Sequence, residues 1–140
     1  MSAYKKFEQD EFDTYDNLAR NIMKEFFSRQ GYTVTDNSDK YGVDLVVDER
    51  LYCEVQVKNA WSGKTFPFSD VNIESRKKKY FFLDKPTVFC LLNREHTHAL
   101  FLSAKDVSNS ERKEVRNKKI PEGELFYKVP IQKAKIVRIR

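Results

Sequence analysis

The spacing of hydrophobic positions changes along the chain, and each change marks an element. In "FDTYDNLARNIMKEFFSRQ" (12–30), Tyr15, Leu18, Ala19, Ile22, Met23 and Phe26 recur at intervals of three and four. That spacing places them on one stripe of a helix. Asp13 and Asp16 fall in its first turn, Arg29 in its last, and Gly31 follows as a stop. These charges suit the helix dipole. After Gly31 the period drops to two. "YTVT" (32–35) predicts a short strand, "DNSDKYG" a loop, "VDLVV" (43–47) a strand, "DER" a tight turn and "LYCEVQVK" (51–58) another strand. The last three make a hairpin.

"NAWSGKTFPF" (59–68) reads as a loop. "SDVNIESRKKKYFFL" (69–83) predicts a second helix, with Ser69 as its cap, Asp70 in its first turn and Pro86 beyond its end. "TVFCLLN" (87–93) is a continuous apolar run, as in a fully buried strand. "REHT" turns, and "HALFLSA" (98–104) pairs back. "AKDVSNSERKEVRNKK" (104–119) predicts a polar surface helix, and "ELFYKVP" (124–130) and "AKIVRIR" (134–140) predict late strands. The order is α-β-β-β-α-β plus C-terminal strands. It implies an α/β fold with a mixed central sheet flanked by helices. There are no repeats or linkers, and 140 residues suit a single domain, 1–140.

Composition narrows the class. Aromatics make up 14% of the chain, which argues for a packed core and against disorder. No apolar run reaches the length of a membrane span, and "MSAYKKFEQDEF" lacks the apolar centre of a signal peptide. A soluble intracellular (cytoplasmic) protein with no membrane partner is expected. Cys53 and Cys90 lie in strand-like runs and read as buried small residues in a reducing compartment. His96 and His98 alternate near a turn with no third ligand nearby, and read as a surface turn.

The net charge is +5, unevenly spread. Acidic residues are frequent in the first fifty positions. "SRKKKY" and the stretch from Lys105 onward carry most of the positive excess, which allows a polyanionic partner.

The polar half of "EVQVK" carries the candidate chemistry. With Asp48, Glu49 and Arg50 as the turn, Val47 faces Leu51, Leu45 faces Cys53, and Asp44 faces Glu54. Cross-strand partners share a face, so Asp44 joins the row Glu54, Gln56, Lys58. Asp44 and Glu54 are hard oxygen donors, Gln56 offers a neutral carbonyl, and the Val57 backbone carbonyl lies between Gln56 and Lys58. That is a partial shell for Mg²⁺ or Mn²⁺, which takes one or two carboxylates and completes its sphere with water and phosphate oxygens. Lys58 beside it can hold or deprotonate an attacking water, or neutralise charge in a phosphorane-like transition state. A solvated strand face is the plain alternative for the same residues.

Asp44 followed by Glu54-Val-Gln56-Val-Lys58 resembles the PD-(D/E)XK nuclease superfamily. The preceding helix, "GYTVT" and "YGVDLVV" are similar to the start of archaeal Holliday-junction resolvases and Mrr-type restriction nucleases. The resemblance covers about residues 13–93 and implies a restriction-endonuclease-like core. It implies Asp44 as a metal ligand, the Gln56 position as the second ligand, and Lys58 as the catalytic lysine. Most members carry an acid where Gln56 stands. Gln there is similar to the Mrr-like and some homing-endonuclease branches, and Glu54 is the alternative second ligand. Many relatives add an acid from the first helix, for which Asp16 and Glu25 are the candidates, with Arg20 between them.

The resemblance further implies a Mg²⁺- or Mn²⁺-dependent endonuclease acting on DNA, of resolvase, homing or repair type. It would be a homodimer if both strands are cut. Phosphate contacts would come from Arg76, Lys77, Lys78 and Lys79, with Lys64 in the aromatic loop. Trp61 and Phe66 in that loop either plug the core or stack on a splayed base. The competing readings are a catalytically inactive nucleic-acid-binding module on the same fold, and a protein unrelated to nucleic acid.

Overall fold

Strand β3 (Leu51–Val57) organises the molecule. Its alternating residues face two different layers, and the rest of the chain supplies those layers. The computed structural model describes residues 17–39, 42–116 and 121–140.

Helix α1 spans 17–29 of the described residues. Strands β1 (Val34–Asp36) and β2 (Leu45–Val47) lead into β3. Strand β4 (Asp70–Glu74) runs into a 3₁₀ turn at Ser75–Tyr80, followed by β5 (Thr87–Leu92) and β6 (His98–Ser103). A five-residue helix, α2 (Ala104–Ser108), precedes β7 (Glu111–Val115), β8 (Glu124–Pro130) and β9 (Lys135–Arg138).

Six strands form one mixed sheet in the order β1-β2-β3-β5-β6-β9. Only β3 and β5 run parallel in it. The other three form an antiparallel sheet, β4-β8-β7.

The hairpin register is the one the pattern predicts: Val47 pairs with Leu51 and Leu45 with Cys53. Asp48 and Glu49 take φ of 53° and 58°, the left-handed turn that the right-handed strand twist favours. Asp48 also fixes β1, since its carboxylate accepts the Thr33 N–H at 2.7 Å.

The sheet separates two cores. On one side α1 contributes Ala19, Ile22, Met23 and Phe27, packed on Leu45, Cys53, Cys90, Leu92 and Ala99. On the other, Phe89, Leu91, Leu100 and Leu102 meet Val71 and Ile73 of β4, Tyr127 and Val129 of β8, and Trp61. The layers are therefore helix, sheet, sheet.

A mixed α/β fold on a mixed sheet agrees with the pattern, as do the C-terminal strands, but several expectations are corrected. No second long helix lies between β3 and β5. Val71 and Ile73 alternate into the core as strand residues, and the basic run forms only a 3₁₀ turn. The second face of the sheet is thus covered by strands and not by a flanking helix. The polar stretch from 104 splits at Ser108-Asn109-Ser110 into the short α2 and β7. The helical stripe is rotated from the one expected: Leu18 is exposed and Phe27 is buried. Tyr15, Asp13 and Asp16 lie outside the described residues. The turn is at the surface through Arg94 and Glu95, but the His96 side chain folds back and is buried, with φ of 59°. Cys53 and Cys90 are free and buried, as expected. Among the described residues no helix is long and apolar enough to cross a membrane.

Candidate active site on the half-covered face of the sheet

Strand pairing places Glu54 beside Phe89 and Gln56 beside Leu91, on the face that the second sheet covers. That cover is incomplete at the β3 end, because β4 stops at Glu74 and gives way to the 3₁₀ turn. The polar row of β3 is therefore neither a wet surface nor a dry core.

Each member of the row has a defined partner. Asp44 precedes β2, and its Oδ2 accepts the Val55 N–H at 2.8 Å. Its Oδ1 lies 3.9 Å from the Arg20 guanidinium of α1. Glu54 is buried and accepts from the Lys77 ammonium at 2.6 Å. Gln56 Nε2 donates to Glu74 Oε1 at 3.0 Å, which leaves the Gln56 carbonyl oxygen free of that bond. Lys58 Nζ donates to the Asn72 carbonyl at 2.9 Å.

The electrostatics are those of crowded carboxylates. Burial raises the Glu54 carboxyl from 4.5 to about 7, and the nearby Asp44 charge adds to the rise, while Lys77 opposes it. Burial lowers the Lys58 ammonium, partly countered by Glu74. Tyr80, buried at the end of the 3₁₀ turn, is pushed up to about 12 by burial and by the negative field of Glu54 and Asp44. Successive turns eclipse in a 3₁₀ helix, so Lys77 and Tyr80 share a side. The Lys77 ammonium sits 5.8 Å from the Tyr80 ring centre.

Asp44 and Glu54 thus stand together with Lys77 on Glu54, while Gln56 and Lys58, further along the same row, meet β4 at Glu74 and Asn72. Lys77 does not behave as a solvent-facing phosphate ligand, because it is committed to Glu54. Arg76, Lys78 and Lys79 are exposed, as is Lys64 in the 59–68 loop. Glu25 is not part of the site: it is exposed and pairs with Arg29 at 3.2 Å.

Two residues escaped the sequence reading. Glu74 joins through Gln56, and its Oε2 is buried with no hydrogen-bond partner among the described residues. Tyr80 supplies the wall. The alternation Val71-Asn72-Ile73-Glu74 was the signal for Glu74, since it reads as a strand and brings that residue to the β3 row.

Among the described residues no three His, Cys, Asp or Glu side chains converge on one point. The site offers a carboxylate pair, Asp44 and Glu54, flanked by a carbonyl and two ammonium groups. No protein-family model matches this chain, and no curated protein matches it.

Proposed function

We propose that this protein is a metal-dependent endonuclease that hydrolyses DNA phosphodiester bonds, with Asp44, Glu54, Gln56 and Lys58 as its site and a restriction-endonuclease-like hairpin as its scaffold. The observation that carries the reading is the Asp44–Glu54 pair on the same sheet face as a half-buried lysine.

The residues fit a hard divalent cation. Burial, with the Asp44 charge beside it, raises the Glu54 carboxyl to about 7, and Lys77 offsets only part of that rise. A buried carboxylate oxygen of Glu74 is unpartnered nearby. Asp44 and Glu54 would hold Mg²⁺ or Mn²⁺, with the Gln56 carbonyl oxygen and water completing the shell. A cation bound there lowers the pKa of its water and neutralises phosphate charge.

The chain's own groups supply the rest. Lys58 is fixed by the Asn72 carbonyl at 2.9 Å. Its lowered proton affinity suits it to exchange a proton with the attacking water, and in its charged form it would offset charge as the phosphorus becomes five-coordinate. Glu74 orients Gln56, and Lys77 favours the ionised form of Glu54 without fully offsetting its burial. Arg76, Lys78 and Lys79 present the charge that phosphate backbones require. Cutting both strands of a duplex takes two such sites, hence a homodimer.

A second reading has one specific observation in its favour. Glu54, Gln56 and Lys58 are all satisfied internally, as they would be in a binding module that has lost its metal. Calorimetric titration with Mg²⁺ and Mn²⁺ separates the two. The nuclease reading expects a micromolar-to-millimolar site that disappears in Asp44→Ala, and cleavage of at least one member of a panel of branched, single-stranded and linear DNAs. Absence of metal binding in the wild type leaves the binding module.

A further inference from the structure

An open cleft of about 570 Å³ begins at Lys58 and runs away from the carboxylates, between the 59–68 loop and β4. Its size lies within the roughly 300–1,000 Å³ range of small-ligand sites. One wall is aromatic. Trp61 is fully buried at the base, and Phe66 meets it edge-on with ring centres 5.5 Å apart. Phe68 meets Phe66 edge-on at 5.6 Å and is 52% exposed, so this ladder of rings ends with an open face at the mouth. The opposite side is polar, with Lys58, Asn72 and the Lys128–Asp70 ion pair at 3.5 Å.

The wall is held in place. Glu95 accepts the Ser62 hydroxyl at 2.6 Å and the Gly63 N–H at 2.8 Å. Asn93 donates to the Gly63 carbonyl at 2.9 Å, and the Arg94 N–H donates to the Trp61 carbonyl at 2.7 Å. The loop is thus bolted to the β5–β6 turn, and the aromatic face needs little reordering to receive a ligand. The Trp61 indole N–H is buried and has no acceptor among the described residues, although Trp61 lines the cleft. A packed core rarely leaves such a donor unused.

The geometry points to this cleft as a seat for one unstacked nucleobase, with Phe68 stacking on its face and Lys58 and Lys128 flanking its phosphates. This deepens the nuclease reading and rests on it: the substrate class becomes nucleic acid with an unpaired base at the cut, as in a single strand, a flap or a junction, and not continuous duplex. Stacking tolerates any base because every base has a π-face, so the seat selects strand state and not sequence. The aromatic and cationic groups stand together in one cleft that begins at Lys58.

The chain has a single tryptophan, which makes the cleft its own reporter. Metal-free protein is titrated with a fluorescently labelled single-stranded oligonucleotide and with the duplex of the same sequence. Anisotropy gives affinity, and Trp61 emission reports the cleft. The single strand is expected to change Trp61 emission saturably and the duplex to leave it unchanged. Phe68→Ala should weaken single-strand binding about tenfold, within the range measured for losing one stacked base, and Phe68→Tyr should restore it. Equal effects of duplex and single strand, or unchanged single-strand affinity in Phe68→Ala, would overturn the seat. Adding Mg²⁺ then tells the two proposals apart. Lys58-dependent cleavage of continuous duplex without Phe68 dependence removes the seat and keeps the nuclease. Phe68-dependent binding with no cleavage of any substrate removes the nuclease and keeps the seat.

Discussion

On the α1 side of the six-stranded sheet, Leu45, Cys53, Cys90 and Leu92 are fully buried beneath Ala19, Ile22, Met23 and Phe27 of the helix. Across the sheet, strand β3 turns Glu54, Gln56 and Lys58 toward a layer that covers them only in part. The two faces are built on the same backbone and differ in their lids. A helix with a continuous stripe seals its face. The second sheet seals Phe89 and Leu91, then ends at Glu74, and the 3₁₀ turn that follows brings a lysine and a tyrosine instead of aliphatic groups. The partial cover has an electrostatic consequence: enough water is removed to disturb Glu54 and Lys58.

The comparison breaks most visibly if substitutions on the two faces have the same consequence. Lys58→Ala and Asp44→Ala should lower cleavage at least about a hundredfold, the scale for removing one group that stabilises transition-state charge, with circular dichroism unchanged. Leu45→Ala on the sealed face should instead cost roughly 2–5 kcal/mol of unfolding free energy, read by urea denaturation, with the rate of the remaining folded protein kept. A Lys58→Ala protein that cleaves normally removes the distinction.

Glu54 sharpens it. Its folded-state pKa is raised to about 7 from 4.5, so between those values the folded protein binds more protons than the unfolded chain. The resulting contribution is fully present below pH 4.5 and is lost as pH rises through 7. Glu54→Gln does not titrate. Metal-free Glu54→Gln should therefore gain on the wild type across that window and level off above it, by on the order of 3 kcal/mol at the usual conversion of pKa shift to free energy. A stability difference independent of pH would mean that Glu54 ionises like a surface acid.

The basic turn divides in the same way. Replacing exposed Lys78 and Lys79 with Gln should reduce the slope of log affinity against log salt by about one unit per lost phosphate contact. Lys77→Gln should change the slope less and shift Glu54 further upward, because its charge is spent on Glu54. Equal slopes for all three would place Lys77 in solvent.

The smallest effect is at the hairpin turn, remote from both faces. Glu49 holds a left-handed φ of 58° that a side chain resists. Glu49→Gly should stabilise by about 1 kcal/mol or less, since the relief of strain exceeds glycine's entropy by little. Thermal unfolding measures it.

How much of this could be read from the chain depended on range. The Asp44–Glu54 juxtaposition was legible because a period of two and a three-residue turn fix register locally. Strands β5, β6, β8 and β9 were legible from their apolar runs. Residues 70–80 were not. Val71 and Ile73 satisfy a strand, but the Arg-Lys run behind them favours a helix. Only the remote partner β8 decides between the two. Glu74 was lost with that segment. His96 misled for a related reason: a polar residue in a turn gives no sign that the surrounding loops will close over it.

The way β4 is anchored also sets an order of assembly. The strand that ends in Glu74 and leads into Lys77 has β8 as its ladder partner, with Asp70 paired to Pro130 and Glu74 to Phe126. The hairpin bearing Asp44 and Glu54 forms from neighbours in the chain, whereas its lid must wait for a long loop to close. The carboxylates are therefore in position before the groups that tune them. Until β8 docks and holds β4 over the sheet, Glu54 has no Lys77 and Gln56 no Glu74 to meet.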